Sequence, residues 1–298
     1  MANLKDIRGR IGSVKNVRKI TRAMEMISAA RLRRAEQRIE LLRPYADAIR
    51  RMTARASYAA DNIPNLPILQ DRENVETVGI LLITGDRGLA GPFNSQIMRA
   101  GNRRAAELRR EGKEVLWFAV GRRGMSSLEF RQLETGGTWT GFTDRPSFAD
   151  ARTVGDAMAA AYVDGKVDRV EVIYNGFISA VTQEVRQETL LPLQHADVID
   201  ADEDLEEDET ESRALWIYEP DPEEILARLV PDYVEISIYR AMLESTASEH
   251  GARMTAMRNA SDNAGDLIDD LTLAANRQRQ AEITQEIMEV VAGAEGLR

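Results

Sequence analysis

Between Leu4 and Ile27 the chain places apolar residues at Leu4, Ile7, Ile11, Val14, Val17, Ile20, Met24 and Ile27. Steps of three and four residues draw one apolar stripe along a helix. The pattern continues through Ala29, Ala30, Leu32, Ala35, Ile39 and Leu42, with arginine filling the other faces. Pro44 predicts a kink rather than an end, because the residues after it again favour helix. A helix of about 55 residues is about 80 Å long. No small domain buries such a helix alone, so the pattern calls for a partner helix.

The far end of the chain supplies one. Glu219-Pro220-Asp221-Pro222 is a helix-start signal, and helical composition follows it to Val291. Pro231 is tolerable near the start of that stretch. Ala241, Ala252, Ala256, Ala260, Ala264, Ala274 and Ala275 recur along it, and small residues at a seam let two helices approach closely. The predicted arrangement is an antiparallel, left-handed coiled coil crossing at about 20°, with the C-terminal helix reaching further.

The middle of the chain changes period. Residues 61–74 carry two prolines and turn formers, the composition of a linker. Buried-type strands are predicted at Val78–Thr84, Val115–Val120 and Arg169–Tyr174, with weaker ones at Thr138–Phe142 and Ala214–Tyr218. Helices are predicted from the loop after Asn94 to about Arg110, from Gly124 to Gln132 and from Phe148 to Val163. Strands alternating with helices specify an α/β domain with a mostly parallel sheet. The fold class is therefore α/β, a Rossmann-like domain inserted between two long terminal helices. The boundaries are 1–58 for the first helix, 59–74 for the linker, 75–218 for the α/β domain and 219–298 for the last helix.

Charge sharpens this picture. The chain has 298 residues, a net charge of −10 and no cysteine. Residues 1–55 hold 15 basic and 5 acidic residues, whereas residues 223–298 hold 7 basic and 14 acidic. Two oppositely charged helices lying together account for that asymmetry. A basic arm also invites a nucleic-acid reading, but Tyr45 is its one aromatic residue and the stacking groups of a single-strand binder are missing. Without cysteine there is no disulfide, thiolate metal site or cysteine nucleophile. The two histidines, His195 and His250, are too far apart in sequence to suggest a metal centre. No apolar run approaches the roughly 20 residues of a membrane span, and no secretory or transit leader is evident, so a soluble intracellular protein is expected. Residues Ala196–Glu211 include ten acidic residues and no basic one, the composition of a solvated loop.

Candidate chemistry is sparse. The loop Gly85-Asp86-Arg87-Gly88-Leu89-Ala90-Gly91 follows a strand and opens a helix, as a phosphate loop would. Its glycine spacing matches neither the dinucleotide fingerprint nor a Walker loop, and a tight strand-to-helix turn is the simpler account. His250 has no partner at helical spacing, and no Ser/His/Asp arrangement is legible. Nothing in the sequence requires catalysis.

Both ends carry longer, more specific patterns. Leu4–Arg38 (LKDIRGRIGSVKNVRKITRAMEMISAARLRRAEQR) resembles the opening helix of the gamma subunit of F-type ATP synthases, and Glu244–Ala294 resembles that family's closing helix. Thr84–Asn94 (TGDRGLAGPFN) and Tyr218–Pro222 (YEPDP) match the same family in order. The departures are few. Ala90-Gly91-Pro92 stands where the family often has Cys-Gly-Gly, and Ala275 where an aromatic is common. Arg277-Gln278 replaces Lys-Ala or Arg-Ala. The redox switch of chloroplast members cannot operate without cysteine.

The resemblance implies a central rotor subunit of the bacterial type, with no cofactor and no chemistry of its own. It implies alpha, beta and epsilon subunits and the c ring as partners, with no nucleic acid and no span of the membrane. The implied location is the cytoplasmic face of the bacterial inner membrane, where proton flow turns the c ring and the subunit carries torque to the beta-subunit nucleotide sites. By motif, Arg22, Met24, Glu25 and Met26 fall where the first helix meets beta-subunit levers. Arg279 and Gln280 fall where the last helix is gripped by a beta loop, and Tyr218 and Glu219 near the foot that faces epsilon and the c ring. Met24 and Met26 read equally well as coiled-coil core. Arg258 is expected to tolerate alanine if it lies on the outer face of the domain-proximal shaft. Two other classes remain open from the residues alone: a nucleotide-binding α/β enzyme with a helical oligomerisation arm, and a nucleic-acid-binding coiled coil.

Overall fold

The computed structural model describes residues 4–59, 68, 72, 74–192 and 222–295. The expected acidic loop at 196–211, the strand at Ala214–Tyr218, Tyr218, Glu219 and most of the expected linker lie outside them. The elements in chain order are α1 (Leu4–Ala59), β1 (Thr77–Ile83), α2 (Phe93–Arg110), β2 (Glu114–Val120), α3 (Arg122–Phe130), β3 (Thr135–Trp139), α4 (Phe148–Val163), β4 (Arg169–Phe177), β5 (Gln183–Leu191) and α5 (Pro222–Glu295). As expected, α1 runs through Pro44 and α5 through Pro231, over 56 and 74 residues. Contacts divide the chain into two compact units, Met1–Ala29 with Arg253–Arg298, and Ala30–Ala252.

The larger unit is built on a five-stranded sheet in the order β3-β2-β1-β4-β5. β1 pairs in parallel with both β2 and β4, and β2 in parallel with β3. The near-continuous apolar runs of β1 and β2 suit strands covered on both faces. Along β1, Val78, Ile80 and Leu82 face α2 and α3, packing among Phe93, Ile97, Leu108 and Leu128. Leu81 and Ile83 face the other way, into a core with Val154, Met158 and Tyr162 of α4 and Val234, Ile238 and Met242 of α5. A capping box opens α4: Ser147 and Asp150 each accept the other's backbone N–H.

β5 departs from the sequence reading, which placed no strand there. It pairs antiparallel with β4 at the sheet edge, and its residues are mostly polar. Edge strands commonly carry charge, and here Arg186 and Glu188 use it to reach α5 (Glu244 at 3.0 Å and Arg240 at 2.7 Å).

The smaller unit pairs the start of α1 with the end of α5. Thr21 Oγ1 lies 2.7 Å from Ser261 Oγ, Arg258 Nε donates to Glu25 Oε1 at 3.0 Å, and the backbone at Gly265 lies against Arg18. Numbers that rise on α1 fall on α5, so the helices are antiparallel. Among the buried and half-buried positions on α5, Met257, Ser261, Ala264, Ile268, Leu271, Ala275 and Gln278 follow an alternation of four and three. On α1, Ile7, Ile11, Val14, Thr21, Glu25 and Ser28 lie on the same heptad lattice, with Met24 and Ala29 half-buried beside it.

The single apolar stripe expected on α1 therefore splits in two. One part makes the seam. The other, Val17, Ile20 and Ile27, stays exposed. On α5 the seam alanines are Ala264 and Ala275, while Ala274 faces solvent.

Candidate functional site

Two regions combine exposed or polar groups in a way that bears on function: the outer surface of the paired helices, and the loop at the carboxyl end of β1.

On the paired helices, Arg22 has a side chain 61% exposed, and its Nη1 donates to Glu25 Oε2 at 3.2 Å. Glu25 itself is buried between Arg22 and Arg258. Its carboxylate accepts from Arg22 and from Arg258, so Arg258 takes part in the seam. The pair also reverses the anticipated polarity, with the acid on the basic helix and the base on the acidic one. Met24 is half-buried and Met26 is 61% exposed, so Met26 lies outside the core.

Arg279 and Gln280 are exposed. Carried outward, the Thr21–Ser261 register brings Leu4, the first described residue of α1, level with about Gln278 and Arg279. From there to Glu295, α5 continues with no described part of α1 alongside it. Ile283, Ile287, Met288 and Val290 are exposed on that extension. Arg279 and Gln280 thus stand where the pairing of described residues ends. They lie about 27 Å along the axis from the Arg22 group, at 1.5 Å per residue, so the structure makes two patches of them. Their signal was legible only as a motif, since the register sets their position.

The loop after β1 lies where a doubly wound sheet ordinarily admits a ligand, beyond the carboxyl ends of its strands. Here the Asp86 carboxylate fills the place. Arg122 N at the start of α3 donates to its Oδ1 at 3.0 Å, and Gly141 N and Thr143 N donate to Oδ2 at 2.9 and 3.2 Å. Thr143 Oγ1 donates to Oδ2 at 3.0 Å and accepts from Asp86 N at 2.8 Å. Asn94 closes the turn by accepting from Gly85 N at 2.9 Å. A helix N-terminus and turn amides make an anion cradle, and an internal carboxylate occupies it. Sequence spacing predicts a turn here, and the bonds to Asp86 supply its physical reason. Its glycines fit close approaches: a Cβ at Gly85 would lie 2.7 Å from the Glu249 carboxylate, and Gly121 holds φ +95° against the Thr84 carbonyl.

Residues 3–297 match the family model described as ATP synthase. The ATP synthase gamma chain of Rubrobacter xylanophilus is 42% identical across 100% of this chain and 99% of its own length. The chain belongs to the ATP synthase gamma-chain family. Gamma chains of Kineococcus radiotolerans and Nostoc punctiforme are each 41% identical, over 99% and 100% of this chain and 96% and 100% of their own. Among solved structures, a central stalk/c-ring chain of the Tetrahymena thermophila mitochondrial ATP synthase superposes with a TM-score of 0.60 at 25% identity. That match covers 81% of this chain and 99% of that one. A chain of the Euglena gracilis mitochondrial ATP synthase shares the fold at 19% identity and a TM-score of 0.66, covering 99% and 94%. Long terminal helices around a central α/β sheet are thus the architecture of gamma chains in the central stalk.

Proposed function

We propose that this gamma chain carries torque between a proton-driven c ring and the nucleotide sites of surrounding beta subunits, and performs no chemistry itself. The observation that carries this reading is the antiparallel heptad pair whose partly apolar outer surface and single-helix extension are exposed. Val17, Ile20, Ile27, Ile283 and Ile287 all face outward. Exposed apolar area on this scale calls for an enclosing partner, and a ring of alpha and beta subunits supplies one.

Within that reading, Arg22, Met24 and Met26 form one beta-subunit contact and Arg279 and Gln280 another, with Glu25 supporting Arg22 from beneath. Tyr218 and Glu219 form the foot towards epsilon and the c ring. The shaft helices are residues 1–58 and 219–298, joined through the linker 59–74 to the α/β domain 75–218. No described helix is long and apolar enough to cross a membrane, which suits a chain held at the cytoplasmic face of the bacterial inner membrane by its partners.

The competing reading, a nucleotide-binding enzyme, is disfavoured by the Asp86 carboxylate in the phosphate position. Co-purification of this chain with alpha and beta subunits, followed by ATP-driven proton pumping in vesicles, tests the proposal. Stoichiometric binding of ATP or NAD by the isolated chain would overturn it.

A further inference from the structure

Resting on the rotor reading, we propose that Asp86 is the positioning residue of the joint that makes the α/β domain and the two long helices turn as one body. Torque about a helix axis acts as shear between a helix and whatever holds it. Apolar contacts resist separation, but they are non-directional and slide. Hydrogen bonds and ion pairs have preferred distances and angles, so they resist shear. The question is where such bonds join the domain to the helices.

Within the unit Ala30–Ala252, ion pairs from β5 and α4 reach α5 alone (Arg186–Glu244, Glu188–Arg240 and Arg152–Glu235), whereas the turn after β3 reaches both long helices. The Asp86 cradle fixes that turn through Gly141 N and through both the amide and the hydroxyl of Thr143. From the fixed turn, the Thr143 carbonyl accepts from Thr246 Oγ1 of α5 at 2.9 Å. The next residue, Asp144, pairs with Arg31 of α1 and lies 3.7 Å from His250 Nε2 of α5. Thr143 and Thr246 are buried, so the bond between them is sheltered from competing water, while the Arg31–Asp144 pair is partly exposed. One carboxylate at the tip of β1 thereby orders the end of β1, the start of α3 and the turn that grips both helices. The cradle explains why an acid stands in a glycine-rich loop: its anion is internal and structural, and what it positions is the helix grip.

The test uses the assembled ATP synthase in membrane vesicles. Asp86→Ala removes the anion and frees the turn. The expected result is an assembled complex that hydrolyses ATP within about twofold of wild type but pumps severalfold fewer protons per ATP. Cysteines at Arg31→Cys and Asp144→Cys, joined by a short bismaleimide, bypass the cradle, and the bridge should restore pumping in the Asp86→Ala background. A merely structural role would not be rescued in this way. The chain has no native cysteine to interfere. If Asp86→Ala fails to assemble, Thr246→Val provides the same measurement, since it leaves the cradle untouched and removes the hydroxyl bound to Thr143. Unchanged pumping per ATP in an assembled variant, or lost pumping that the bridge fails to restore, would overturn the proposal. Failure of the wild-type chain to support pumping would instead sink the rotor reading itself.

Discussion

Glu25 and Arg258 illustrate how a residue's role depends on what lies across the seam. Arg258 alone, 55% exposed at its side chain, looks dispensable. Its Nε nevertheless serves the carboxylate of Glu25, which is 8% exposed. Arg258→Ala leaves that carboxylate with Arg22, itself exposed. The loss of one charge-assisted bond should cost about 1–2 kcal/mol in chemical unfolding of the isolated chain. Glu25→Leu with Arg258→Leu should recover most of it, because a buried pair replaced by apolar residues is often neutral. A single variant as stable as wild type would show that the pair contributes nothing. Asp168 offers a second case. Burial alone would push its carboxyl up, but the Thr77 and Glu76 amides and Arg72 outweigh that and hold it below the usual range. A depressed carboxylate stabilises the fold above its unfolded pKa of about 3.9 and loses that contribution as pH falls through the folded value. Asp168→Asn should therefore flatten the acid limb of the stability profile below about pH 4, measured by thermal melts across pH. An unaltered limb would reject the assignment.

At the scale of elements, the sequence period was informative where packing is one-sided or complete. β1, β2, α2 and α4 sit within a few residues of their predicted places because unbroken apolar runs such as VGILLI report buried strands directly and the helical stretches lie between them. β5 was missed since its alternate residues face α5 as ions rather than as apolar side chains, and hydrophobic periodicity cannot register a salt bridge. The two stripes on α1 merged for a related reason. Both are apolar and adjacent, and the choice of seam depends on α5, 240 residues away at Thr21–Ser261. Turn geometry was equally silent. Gly121 precedes α3 with φ +95°, and a Cβ there would lie 2.2 Å from the Thr84 carbonyl oxygen. Gly121→Ala combines a left-handed backbone with a backbone clash, and should destabilise the α/β unit by about 3 kcal/mol or more. A denaturant midpoint within error of wild type would mean that β1 and β2 can part at their tips without penalty.

For the whole molecule, the decisive quantity is what happens at particular rotor angles, which no single residue or element displays. Arg279 and Gln280 stand where α1 ends beside α5, exposed and flanked by the small Ala281 and the polar Asn276. Arg offers a planar fork of donors to a carboxylate, and Gln both donates and accepts. Held against a surrounding subunit with water partly excluded, a charge-assisted contact contributes about 1.5–3 kcal/mol. Neither side chain has a role in the seam, so their removal should leave folding and assembly intact. A contact made only over part of each turn changes the heights of rotational barriers. Each 1.4 kcal/mol is tenfold in rate at a barrier, and the effect is diluted where other steps limit turnover. Arg279→Ala with Gln280→Ala should therefore alter ATP hydrolysis and ATP-driven proton pumping severalfold in a complex of normal subunit composition. Rates and pumping equal to wild type in that assembled double variant would remove the gripping role from this end of α5 and leave the Arg22 patch as the surface through which the beta subunits feel the rotor.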